Sequence, residues 1–195
     1  MPRYDTTYCY PDSDVLVNRL NITDGDKLAE AERRFTMVRL FELLRNPVPG
    51  MFNLNHLCAI HRYIFQDLYE WAGRIRTVDI SKGYYFCHCQ YIQTGADKLF
   101  KDLKSENLLQ NLPLDTFVSR ISYYFSEINA LHPFREGNGR AQREFVRSLA
   151  LCNGYLLKFS NVSPEDMIKA SIDSFTCDYR KTEEMFRACL VKIKG

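Results

Sequence analysis

His132-Pro133-Phe134-Arg135-Glu136-Gly137-Asn138-Gly139-Arg140-Ala141-Gln142-Arg143 is the stretch on which the reading of the chain depends. It separates two segments of helical periodicity. Upstream, Phe117, Val118, Ile121, Tyr124, Phe125 and Ile128 recur in steps of three and four, which predicts a helix over 114–130. Downstream, Ala141, Phe145, Leu149 and Cys152 form the inner stripe of a helix predicted over 138–152, with Asn153-Gly154 as its stop. Between them two glycines flank an asparagine, so the backbone can take positive φ and approach a ligand closely. The second helix then presents free N–H groups and the positive end of its dipole, which makes an anion site. Arg140 and Arg143 are three apart and share a face near its first turn, and arginine suits bidentate phosphate binding. Glu136 beside such a site calls for a cation between carboxylate and phosphates, which points to Mg²⁺. His132 ends the first helix and is the group suited to accept a proton near neutral pH. An anion hole, two cationic clamps, a metal carboxylate and a base together fit a phosphate-transfer site.

Outward from this loop the chain reads as a mostly α domain without repeats. Residues 1–26 are rich in Tyr, Pro, Asp and Asn and read as an irregular arm. Leu28, Ala31, Phe35, Val38 and Leu43 predict a helix over 27–45, stopped by Pro47-Val48-Pro49-Gly50. Asn53 caps a second over 54–68, with Leu57, Ile60, Ile64, Phe65 and Leu68 on one side. Further helices are expected over 91–107, over 164–174 behind Ser163-Pro164, and over 180–193. Within 74–90, Arg76-Thr77-Val78-Asp79-Ile80-Ser81 alternates, Lys82-Gly83 signals a turn and Tyr84-Tyr85-Phe86 follows, which predicts a β-hairpin. Cys87-His88-Cys89 lacks the spacing of a structural zinc site and reads as a loop with half-buried thiols. His56 and His61 are five apart, off the usual metal spacing on a helix face, and read as structural. Tyr4, Tyr8 and Tyr10 read as packing residues.

Composition bounds the partners. The chain has 195 residues with a formal net charge of +2. So small a charge argues against nucleic acid or membrane binding through bulk electrostatics. The 7 cysteines are odd in number and form no Cys-x-x-Cys pair, which reads as a reducing compartment. Met1-Pro2-Arg3-Tyr4-Asp5 lacks the apolar run of a signal peptide, and no stretch of about 18 apolar residues is present. A cytoplasmic location is expected, in the producing cell or in a recipient cell after export.

Residues 132–143 match, at each fixed position, His-Pro-Phe-x-(Asp/Glu)-Gly-Asn-Gly-Arg-x-x-Arg, the motif of the Fic family. The likeness extends to His61–Gly73, which resembles the Fic segment before its hairpin. Arg76–Gly83 resembles the Fic flap, and Tyr10–Leu20 resembles the arm of small bacterial members. Together these cover residues 8–160. The resemblance implies one Fic domain over 1–195, a bundle of about seven or eight helices with one β-hairpin flap. It implies a protein adenylyltransferase, moving AMP from ATP to a side-chain hydroxyl of a target protein. His132 would deprotonate that hydroxyl. Gly137, Asn138 and Gly139 would hold the α- and β-phosphates. Glu136 would place Mg²⁺, Arg140 and Arg143 would bind the outer phosphates, and Phe134, beside Pro133, would anchor the loop in the core. Ile80, Ser81, Lys82 and Gly83 would register the target by strand pairing. Fic relatives also transfer UMP, phosphocholine or phosphate; the Gly-Asn-Gly kept here favours AMP. A catalytically idle nucleotide-binding module is the other reading, and an intact His132 argues against it. No Glu fits the inhibitory pattern (Ser/Thr)-x-x-x-Glu-(Gly/Asn). The resemblance therefore implies the toxin of a toxin–antitoxin module, with a separate small antitoxin pairing with Arg143. Relatives modify type II topoisomerase subunits or small GTPases, and either class is an expected target.

Overall fold

The computed structural model describes residues 5–81 and 86–193. Its helices are α1 (Gly25–Arg45), α2 (Leu54–Phe65), α3 (Ile92–Ser105), α4 (Leu114–Leu131), α5 (Asn138–Cys152), α6 (Pro164–Ser174) and α7 (Arg180–Cys189). Two short strands, β1 (Tyr155–Leu157) and β2 (Leu190–Lys192), pair antiparallel with Leu156 opposite Val191. The mostly helical architecture expected from periodicity stands. No helix among the described residues is long and apolar enough to cross a membrane.

Helix starts follow from side chains that take up orphan N–H groups. Asp24 accepts from the Lys27 N–H, Asn53 from His56 and Ser163 from Asp166. The core lies between α2, α4 and α5. Leu57, Ile60, Ile64 and Phe65 of α2 face Ala141, Phe145 and Leu149 of α5, with Ile121, Tyr124 and Ile128 of α4 beside them, all buried. Phe145 is ringed by Phe52 and Phe100 at centroid distances of 5.6 and 5.5 Å. Truncating such a side chain to alanine costs about 3–5 kcal/mol.

Three expectations are corrected and a fourth, the hairpin, is described only in part. In α1 the buried positions are Leu28, Thr36 and Leu43, while Phe35 and Val38 are exposed. The helix turns Glu32 and Thr36 inward because they meet Arg140 of α5. The inner stripe of α5 ends at Leu149, since Cys152 is exposed. α7 stops at Cys189, where the chain extends as β2 so that its backbone groups pair with β1; Lys158 N–H donates to Cys189 O across the same ladder. Within 74–90 no strand of two or more residues occurs among the described residues, and Ser81 alone forms a bridge. Backbone groups here pair instead with the end of α4, Arg76 N–H with Pro133 O at 2.9 Å and Cys87 N–H with Ala130 O at 3.0 Å. The hairpin turn expected at Lys82-Gly83 lies outside the described residues.

Candidate active site

α4 ends on His132, which takes the left-handed conformation (φ 44°, ψ 60°) while its N–H still donates to Ile128 O. That reversal swings the imidazole out of the helix. Its Nδ1 lies 3.2 Å from Asn129 O. A carbonyl only accepts, so Nδ1 carries a proton; the neutral imidazole then has its lone pair on Nε2, the tautomer a general base needs. The Phe86 ring stacks on the imidazole, with centroids 3.7 Å apart and planes 19° from parallel.

The loop to α5 is fixed from inside. Phe134 is wholly buried. Asn138 Oδ1 accepts from Phe134 N–H at 2.8 Å and its Nδ2 donates to Phe134 O at 2.7 Å. The Asn138 side chain therefore closes the loop, and what it offers an anion is its backbone N–H. Gly137 has φ 79°, and a Cβ there would lie 2.1 Å from Phe65 Cζ. Only glycine fits, on both backbone and space. The N–H groups of Asn138 and Gly139 open α5 ahead of its intrahelical bonds, so they point out of the helix with its dipole behind them.

Charged groups ring this helix start. Glu136 Oε1 accepts from Gly137 N–H at 2.9 Å and lies 3.8 Å from the Arg140 guanidinium. Arg140 is 2.5 Å from Glu32, 3.2 Å from Thr36 Oγ1, and sits 4.7 Å over the Phe65 ring. Arg143 differs. Its Nη1 donates to Met167 Sδ at 3.5 Å, and it has no carboxylate partner among the described residues. Burial first, then the nearby Arg140 charge, lower its pKa from the ordinary value. It stays cationic, as arginines in proteins do. A single carboxylate beside a phosphate-binding helix start is the donor set Mg²⁺ uses, since it takes one or two carboxylates together with substrate phosphates. Glu136 fits that role.

A cavity of about 420 Å³ opens between His132 and Arg143. Its far wall is α6, with Met167, Ile168, Ile172 and Phe175 facing Phe86. Its size suits a nucleoside. A larger polar cleft, about 750 Å³ and lined by Arg19, Arg62, Glu70 and Arg74, contains no residue of the 132–143 loop.

Sequence reasoning missed two contributors. The first is this wall, since the sequence predicts the helix over 164–174 but gives its apolar residues no role. The second is His61, read only as structural. Its Nδ1 accepts from Gly73 N–H at 2.8 Å, so Nε2 carries the proton and donates to Glu136 O at 2.9 Å. The imidazole stacks on Phe134 at 3.9 Å. His61 thus holds the loop through the carbonyl of the residue that carries the site's carboxylate. Ile80 is half-buried and Ser81 exposed on the segment leading away from the site. Lys82 and Gly83 lie outside the described residues.

Comparison with known proteins agrees with this geometry. The Fic/DOC family model matches residues 51–150. The chain is 39% identical over 184 residues to the probable protein adenylyltransferase Fic of Salmonella typhimurium, covering 94% of this chain and 91% of the relative. It is 42% identical over 169 residues to the protein adenylyltransferase VbhT of Bartonella schoenbuchensis, covering 86% of this chain. It spans only 35% of the length of VbhT. Among solved structures, it superposes on the N-terminal Fic domain of a VirB-translocated Bep effector from Bartonella quintana, with bound ADP, at a TM-score of 0.91. Identity there is 30%, over 96% of each chain. The BepC effector of Bartonella tribocorum with bound AMPPNP also matches at 0.91, with 26% identity over 96% of this chain and 98% of that one. With the motif, the loop geometry and these matches in agreement, the chain belongs to the Fic/DOC family.

Proposed function

We propose that the protein is an adenylyltransferase that moves AMP from ATP to a side-chain hydroxyl of another protein. The observation that carries this reading is His132, with its lone pair on Nε2, at the mouth of a nucleoside-sized cavity whose other rim is the α5 N-terminus. The names of the relatives and the nucleotides in the two solved neighbours support it. In the reaction the target hydroxyl oxygen attacks the α-phosphorus. Its proton passes to His132 Nε2, the α-phosphorus–oxygen bond to the β-phosphate breaks, and pyrophosphate leaves. The N–H groups of Asn138 and Gly139 bind phosphate oxygens, and Arg140 and Arg143 take the outer phosphates. Mg²⁺, held by Glu136 together with the phosphates, would neutralise charge on the leaving pyrophosphate. The target docks along the flap, registered by Ile80, Ser81, Lys82 and Gly83.

The protein acts, on this reading, as the toxin of a toxin–antitoxin pair. Arg143 lacks a carboxylate partner among the described residues, and beside it runs an exposed apolar face of α1 carrying Met37 (67% exposed), Phe41 (56%) and Leu44 (58%). A small antitoxin laying an acidic helix in that groove would pair with Arg143 and cover the apolar face together.

The test uses α-³²P-ATP and γ-³²P-ATP with Mg²⁺, a bacterial lysate, purified type II topoisomerase subunits and small GTPases, and a His132→Ala control. Label from the α-phosphate alone, lost in the variant, is expected. Label from the γ-phosphate would make the protein a kinase, and none from either would reduce it to a nucleotide-binding module or a user of another donor.

A further inference from the structure

Arg76 is among the largest side chains that are fully buried. Its nearest carboxylate, Asp79, is 3.7 Å away and half exposed. A cation placed inside a protein needs its donors satisfied, and here they go to four backbone carbonyls. Nε donates to His132 O at 2.8 Å, and Nη2 reaches Leu131 O at 3.4 Å. Nη1 donates to Val78 O at 2.7 Å, and Nη2 also donates to Cys87 O.

These acceptors fall into two sets. Leu131 O and His132 O belong to the C-terminal end of α4, where carbonyls lack helical partners and the dipole favours a cation. Val78 O and Cys87 O lie on the outgoing and returning arms of the flap. One guanidinium therefore grips both arms of the flap and the carbonyl of the base itself. The Arg76 N–H adds a bond to Pro133 O, so the peptide after His132 is held on both sides. The left-handed turn at His132 is unfavourable for a residue with a side chain, and these bonds hold it in place. The residue next to Cys87 is Phe86, whose ring lies on the imidazole.

We propose that Arg76 is a positioning residue: it sets the orientation of the His132 imidazole and ties that orientation to the flap, so that a polypeptide docked on the flap tightens the aim of the base. This rests on the AMP-transfer reading for its consequence in rate. The link between Arg76 and His132 stands on geometry alone. Lysine cannot replace the fork, because it is a point charge with three donors and lacks the planar reach to two sets of carbonyls.

The experiment compares Arg76→Lys and Arg76→Gln with the wild type. Kcat for AMP transfer is expected to fall about 100-fold from misorientation of the base, with KM for ATP within about threefold, because the phosphate loop is untouched. In parallel, NMR follows the His132 ring protons, which the stacked Phe86 ring shifts upfield. Their return toward ordinary positions in Arg76→Lys is expected. A lysine variant with wild-type kcat and an unmoved His132 resonance overturns the proposal. A wild type that transfers no AMP defeats the functional reading, while the resonance still decides the role of Arg76. Should neither variant fold, amide exchange on the wild type decides. The Arg76, Cys87 and His132 amides are expected to open together, and independent opening overturns the proposal.

Discussion

Glu32 of α1 meets Arg140 of α5 at 2.5 Å, with both side chains about four-fifths or more withdrawn from water (15% and 20% exposed). The same carboxylate accepts from Tyr69 Oη at 2.6 Å, so one acidic group on α1 holds both Arg140 and Tyr69. Replacing Glu32 with Gln is expected to lower stability by about 1–2 kcal/mol, less than for a wholly buried pair because water still reaches this one. A double-mutant cycle with Arg140→Gln in urea titrations should return a coupling of about 1 kcal/mol. Strict additivity of the two single changes would show that the contact contributes nothing.

His61 makes stability depend on acid. Burial drives its pKa down to about 4, against an ordinary value near 6.5. Between those limits the unfolded chain takes up a proton that the folded protein refuses. Stability therefore falls as pH drops from 6.5 to 4 and levels off below, by about 3 kcal/mol in all. His56, also lowered by burial, acts with the same sign. The diagnostic is the difference: His61→Gln should flatten the curve in that window, and an unchanged slope would remove His61 as its source. Asp79 and Asp178, held at about 2 by hydrogen bonds from His88 and Arg180, titrate lower and do not overlap.

The two loop glycines should answer differently to alanine. At Gly137 a methyl group meets Phe65 Cζ at 2.1 Å on a backbone of φ 79°, and a loss of about 2–4 kcal/mol is expected. At Gly139 it meets Arg143 Nη1 at 3.2 Å, the movable end of a side chain. Gly139→Ala should keep its melting temperature within about 2 °C and weaken ATP binding. Equal destabilisation at the two positions, read by calorimetry, would contradict this account.

Arg143 trades stability for binding. Its charge is desolvated without a carboxylate partner among the described residues, so Arg143→Met should raise Tm by about 2–4 °C, equivalent to about 1 kcal/mol. The same change should weaken ATP at least about 10-fold by removing one charged hydrogen-bonding group. Calorimetric melting and nucleotide titration check both halves, and a lower Tm would show that the site had been stabilised by the cation.

The motif loop and most helix starts were legible because they rest on local chemistry. Gly137 must take positive φ, and Asp24, Asn53 and Ser163 must cap. What escaped the sequence was set by partners far along the chain. The inward face of α1 cannot be chosen from its own periodicity, since Phe35 and Val38 give as good a stripe as Glu32 and Thr36 until Arg140 supplies the reason. Cys189 ends a helix because β1 waits for the residues that follow. His61 looks structural until Gly73 and Glu136 are found on its two nitrogens. Arg76 lies in an alternating stretch that suggests an exposed strand, whereas its side chain ends at the carbonyls of α4.

The β1–β2 ladder has a consequence for the cavity beside His132. Leu157 opposite Leu190 closes residues 158–189 into a ring whose ends are stapled together, with α6 and α7 inside it. The wall of Met167, Ile172 and Phe175 therefore belongs to a stapled segment that follows α5 and packs on α4, where Tyr179 Oη donates to Glu127 and Arg187 pairs with Asp115. Ile168 and Ile172 line the cavity without touching the loop's charged groups, whereas Met167 reaches Arg143 and Phe175 packs on the Phe86 ring that covers His132. On the adenylyltransferase reading proposed above, one hairpin of helices closed by a three-residue ladder would thus shape the space for the donor's base.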